Sequence, residues 1–146
     1  MNEGRSSQAP GDAQGARIVP LSDIEPELLV GYLVRRGIAE PTVRWKYFER
    51  EFNRDRERGF VALRDNQVVG FLGSIPVKLI RGDDEQADNW LCDWSIQDPE
   101  RDRGLGGALA KAALSATGRM IAFTKPSTSA AISAVTKVST LIDGIR

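Results

Sequence analysis

The chain has 146 residues, 41 % of them hydrophobic, which suits one domain whose core closes without metals or disulfides. Lysine plus arginine equals aspartate plus glutamate at 20 each, so no net field draws it to nucleic acid or to an anionic membrane surface. With no histidine and a single cysteine, Cys92, the chain can build neither an internal disulfide nor a Cys/His zinc site, and Ser-His-Asp and Cys-His catalysis are excluded.

Residues 1–15 are rich in Gly, Ser, Gln, Asn and Ala without apolar periodicity, which predicts a disordered leader before a single domain over residues 16–146. The leader lacks a basic segment followed by an apolar stretch, and no apolar run is long enough to span a bilayer, so the expected location is the cytoplasm, away from membranes. Residues 17–21 predict a short strand. Ser22, Asp23 and Pro26 predict a helix entry, since proline is tolerated in a first turn, and Leu28, Leu29, Tyr32 and Leu33 then share one face. Gly37 and Pro41 separate it from a second helix over residues 42–53, where Trp45, Phe48 and Phe52 form an aromatic stripe read as core.

From Gly59 the pattern becomes extended. Residues 60–63 and 68–80 flank Asp65-Asn66, whose side chains tolerate positive φ and so predict a two-residue hairpin turn. Pro76 places a bulge or an edge in the long middle strand, and a turn over residues 81–85 leads to a third strand at 89–96. Short connections between sequential strands predict an antiparallel meander. A glycine-rich turn at residues 101–107 and a helix to about Thr117 follow, and then a short strand at 120–123. That strand is predicted to lie parallel to 89–96, because the helix makes a crossover. A last helix is expected over residues 127–140.

Backbone N–H groups at a helix N-terminus have no intrahelical partner and sit at the positive end of the helix dipole, so they attract phosphate oxygens. Gly104, Gly106 and Gly107 leave room for such a group, and Arg101 and Arg103 bring positive charge. The turn lacks the Gly-Lys-Ser/Thr ending of a Walker loop and the spaced glycines of a dinucleotide fingerprint. It does carry Arg101-Asp102-Arg103-Gly104-Leu105-Gly106, which resembles the Arg/Gln-x-x-Gly-x-Gly/Ala signature of the GNAT family of N-acetyltransferases.

The resemblance implies an α+β fold with a mixed, mostly antiparallel central sheet flanked by helices. It also implies acetyl-CoA as co-substrate and direct transfer to an amine, with a small-molecule or carbohydrate amine as acceptor. The backbone of Arg101, Asp102, Arg103, Gly104, Leu105, Gly106 and Gly107 would hold the CoA diphosphate, and the strand edge at Ser95 and Ile96 would pair with pantetheine. Asp102 departs from the small or neutral residue usual at its position. The family's closing strand pair has only residues 141–146 left to form it, and no tyrosine follows Tyr47 to act as the usual acid. Those two gaps keep open an alternative: a degenerate or truncated module that binds CoA or a protein partner without catalysis. Asp93, an acid inside an apolar strand, is the candidate general base; alternation puts it with Ser95 on the face opposite Trp90, Cys92 and Trp94. Cys92 reads as a buried inert thiol.

Overall fold

A computed structural model describes residues 12–13, 15–49, 56–117 and 121. Strands β1 (Asp12–Ala13), β2 (Ala16–Pro20), β3 (Gly59–Arg64), β4 (Gln67–Arg81) and β5 (Asp84–Ile96) form one antiparallel sheet in chain order. Helices α1 (Pro26–Arg35) and α2 (Glu40–Phe48) cover one face, and α3 (Leu105–Thr117) covers the other. This is the mixed α+β arrangement expected from the sequence. The two-residue β1, which pairs with Arg17 and Ala16 around Gly15, lies within the predicted leader. The rest of that leader, the helix over 127–140 and the closing strand pair fall outside the described residues.

The middle of the sheet is buried on both sides, which is why β3 reads as a continuous apolar run. Val61 and Leu63 pack toward α1 and α2, while Phe60 and Ala62 pack toward α3. The β3–β4 hairpin turns on Asp65 and Asn66, at φ 50° and 59°, as their tolerance of positive φ requires. Beyond Ser74, whose N–H donates to the Arg58 carbonyl, β4 pairs with β5 alone among the described strands, so Pro76 occupies an edge position and costs no ladder bond there. Strand β5 begins at Asp84, five residues before the expected start, because its polar first half pairs with the outer half of β4 through the backbone ladder, with a Lys78–Glu85 ion pair across it.

Helix α1 opens with Pro26 in its first turn and closes on Gly37, whose φ of +93° few other residues adopt. There the Gly37 N–H donates to the Val34 carbonyl and the Ile38 N–H to that of Leu33, a Schellman closure that fixes Arg36 at the helix end. Leu28 lies at the margin of the buried face, which Val30 joins. Helix α2 corrects the aromatic stripe at Trp45, which is 64 % exposed; Phe48 packs partly against the core beside the buried Val43 and Tyr47, and Phe52 lies outside the described residues. Residues four apart share a face, and Trp45, midway between Val43 and Tyr47, turns to the other side. The helix also ends at Phe48, ahead of the expected 53, as Glu49 is already extended. Tyr47 takes the inner position because its ring meets Phe71 edge-on at 5.0 Å and its hydroxyl reaches β5.

A bulge interrupts β5. Phe71 pairs with Ser95 and Gly73 with Cys92, so Asp93 and Trp94 together face Leu72 alone, and Asp93 adopts φ 51°. The inserted residue resets the alternation. Cys92 and Asp93 both reach the α2 side, and Trp94 packs with Ile96 toward α3, which overturns the expected grouping of Cys92 with Trp94. Past α3, Ile121 returns parallel to β5: the Leu91 N–H donates to its carbonyl, and its own N–H donates to the Asn89 carbonyl, each at 2.8 Å. The predicted crossover is present.

Candidate functional site

A cavity of about 470 Å³ opens between the end of β5 and the start of α3. Trp94, Ser95 and Ile96 form one side, Glu100, Arg101, Asp102 and residues 104–106 of the turn form another, and Arg36 stands at the end of α1. The structure therefore brings Ser95, Ile96, Arg101, Asp102, Gly104, Leu105 and Gly106 of the sequence-predicted set to one cavity. Arg103 and Gly107 belong to the same turn but do not line the cavity.

Local chemistry explains the shape of the turn. Asp102 and Gly104 have φ of 64° and 78°, a left-handed conformation that glycine and aspartate reach at little cost. The departure at Asp102 thus has a backbone reason. The first intrahelical bond of α3 runs from the Ala108 N–H to the Gly104 carbonyl, so the N–H groups of Leu105, Gly106 and Gly107 have no acceptor within the helix. Leu105 buries its side chain in the core and leaves only backbone for the cavity. A Cβ on Gly104 would meet nothing within 4 Å, and one on Gly106 would touch Trp94 at 3.4 Å, so this wall is open and unobstructed.

The turn is pinned from beneath. Arg64 on β3 donates through Nε and Nη2, each at 2.9 Å, to the two carboxylate oxygens of Glu100, and Arg103 adds a contact at 3.7 Å. The Arg64 guanidinium holds the Glu100 carboxyl below the usual carboxylate range. Arg101 is bridged to Asp98 at 3.0 Å. Much of the turn's own charge is therefore spent internally.

Asp93 sits behind this cavity, on the α2 side. Its Oδ2 accepts from Lys46 Nζ at 2.8 Å and from the Tyr47 hydroxyl at 2.5 Å. Burial above all, with Cys92 and Asp93 close by, pushes the Tyr47 phenol far above its usual range, so it stays a proton donor. With that proton committed to Asp93, the Cys92 thiol donates to the Tyr47 oxygen at 3.3 Å, and burial pushes the thiol's own pKa up. Cys92 is protonated and unreactive. Sequence reasoning missed Arg36, Lys46, Tyr47 and Arg64. Only Arg36 carried a local signal, since Gly37 marks a helix end just after it.

The sequence pattern of the Acetyltransferase (GNAT) family matches residues 23–134, more than half of the chain. This chain belongs to the GNAT family of acetyltransferases, which implies acetyl transfer from acetyl-CoA. No curated protein sequence matches it. Among solved structures, the aminoglycoside antibiotic 6′-N-acetyltransferase AAC(6′)-Ih of Acinetobacter baumannii is similar at TM-score 0.65 and 13 % identity, over 90 % of this chain and 96 % of that one. Glucosamine-6-phosphate N-acetyltransferase of Arabidopsis thaliana aligns at TM-score 0.64 and 10 % identity, over 90 % and 97 %. A predicted acetyltransferase of Clostridium acetobutylicum, solved with acetyl-CoA, aligns at 0.61 and 8 %, over 90 % and 93 %. At such identities the likeness is one of fold. Among the described residues no helix is long and apolar enough to cross a membrane.

Proposed function

We propose that this chain is an N-acetyltransferase that moves the acetyl group of acetyl-CoA directly to a small-molecule or carbohydrate amine. The observation that carries this reading is the cavity between β5 and the open N–H groups at the start of α3. Its lining and donors suit the ligand: the backbone of Arg101, Asp102 and residues 104–106 would face a diphosphate, and the strand edge at Ser95 and Ile96 would take pantetheine as an added strand. Acceptors of this class are supported by the similar enzymes, whose names specify glucosamine-6-phosphate and aminoglycosides.

In transfer, the amine nitrogen bonds to the thioester carbonyl carbon, the C–S bond breaks, and the departing thiolate takes a proton. Asp93 is the proposed base for the amine proton, placed two residues before Ser95 and held in its pocket by Lys46 and Tyr47. That same engagement favours the alternative of a CoA-binding module without catalysis, since a carboxylate already paired with a cation is a weaker base. Thiol release from acetyl-CoA with a panel of small amines separates the two. If Asp93 is the base, Asp93→Asn should lower the transfer rate per folded molecule about 100-fold while CoA affinity holds. If Asp93 is structural, Lys46 loses its partner, stability falls by about 1 to 3 kcal/mol, and activity per folded molecule is retained.

Asp102 gives a second expectation. Asparagine keeps the left-handed backbone and removes a negative charge from the cavity wall, so Asp102→Asn should tighten CoA binding about two- to fivefold at low salt. Weaker binding in calorimetry would mean that the carboxylate supports the site.

A further inference from the structure

We propose that Arg36 grips the diphosphate of coenzyme A from the wall opposite the glycine-rich turn, so that the anion site is built by the end of α1 as well as by the start of α3. This contact rests on the acetyltransferase reading above and extends it to a residue outside the signature.

The charges around the cavity single Arg36 out. Glu100 is neutralised by Arg64 and Arg103, and Arg101 is bridged to Asp98. The charged side chains left lining the cavity are Asp102 and Arg36. No carboxylate bonds Arg36 among the described residues; its guanidinium lies over the Tyr32 ring, 5.5 Å from the centroid.

An arginine at a helix C-terminus is ordinarily accounted for by the helix dipole and the last carbonyls. Here two of those carbonyls are met by backbone: Leu33 and Val34 accept from the N–H groups of Arg36, Gly37 and Ile38, and among the described residues the Arg36 side chain bonds no carbonyl. Its position is also fixed relative to the strand, because the hydroxyls of Tyr32 and Ser95 hydrogen-bond at 3.2 Å and tie α1 to the residue that lines the cavity. A planar fork of donors, held over an aromatic ring and lining the same cavity as the open N–H groups, matches the oxygens of a diphosphate. It also offsets Asp102, which on its own disfavours an anion there.

Calorimetric titration of wild type and Arg36→Gln with CoA and with dephospho-CoA, which keeps the diphosphate and lacks the 3′-phosphate, tests the contact. The substitution is expected to raise Kd for both by about 10- to 100-fold, as loss of a charge-assisted bond does. Arg36 is exposed, so thermal unfolding without ligand should stay within about 1 °C. Kd values within twofold of wild type overturn the proposal, and so does weakening confined to CoA, which moves the contact to the 3′-phosphate. A wild-type protein that bound neither compound would instead remove the acetyltransferase reading, and this contact with it.

Discussion

Gly73→Ala is expected to destabilise the fold by about 2 to 4 kcal/mol, a melting-temperature drop of about 6 °C or more. A Cβ at this position would lie 2.5 Å from the Tyr47 hydroxyl oxygen, 2.8 Å from the Cys92 carbonyl oxygen and 2.9 Å from its sulfur. None of the three can retreat cheaply. The carbonyl belongs to the strand pair between Gly73 and Cys92, and the Tyr47 ring is wedged against Phe71 while its hydroxyl serves Asp93. Gly70→Ala supplies the contrast: its Cβ would meet the end of the Ile96 side chain at 2.7 Å, and a terminal methyl can rotate away. Thermal or urea unfolding should therefore rank Gly73→Ala well below Gly70→Ala. Equal stabilities would mean that the packing of Tyr47 on β4 is looser than described.

Gly106→Val is expected to weaken acetyl-CoA binding about 100-fold or more, because overpacking costs up to about 3 kcal/mol and here the crowded partner is the ligand. The fold itself has room for one added carbon, since a Cβ at Gly106 makes ordinary contacts with Trp94 at 3.4 Å and Ile96 at 3.8 Å. Gly106→Ala should fold at least as well as wild type, with a helix-propensity gain of up to about 1 kcal/mol. Valine adds two methyl groups beyond that carbon, on a residue that lines the cavity, and gives back part of the helix-propensity gain that alanine brings. Unfolding measured beside binding separates the two effects. A folded Gly106→Val protein that binds like wild type would make the turn purely structural.

The parts of this molecule that could be read from sequence are those set by neighbours in the chain. Asp65 and Asn66 announce their turn because few other residues accept two successive positive φ values, and the order strand, glycine-rich turn, helix, strand locates both the cavity and the parallel return at Ile121. Contacts between distant residues decided the rest. Trp45 satisfies helical spacing as well as Tyr47 does; what selects Tyr47 for the inner face is a hydroxyl partner on β5, which no local window contains. The bulge at Asp93 is equally silent, because alternation is read by assuming no residue is inserted. Arg64 and Glu100 meet only once β3 lies beneath the turn, and Arg36 reaches the cavity only once α1 packs on β5. The signature thus located one wall of the site, and the opposite wall needed the fold.

Binding of acetyl-CoA at the start of α3 is tested most directly by titrating it into wild type and Gly106→Val, with heat and melting temperature followed together. A ligand that binds only the folded chain stabilises it by about 2.7 kcal/mol at a concentration one hundred times Kd, so the wild-type protein should take up one equivalent and melt several degrees higher. The variant, folded but with Kd about 100-fold higher or more, should be at most about half saturated at that concentration and gain no more than about 0.4 kcal/mol. No heat and an unchanged melting temperature for wild type at saturating acetyl-CoA would contradict the assignment of this cavity to the coenzyme.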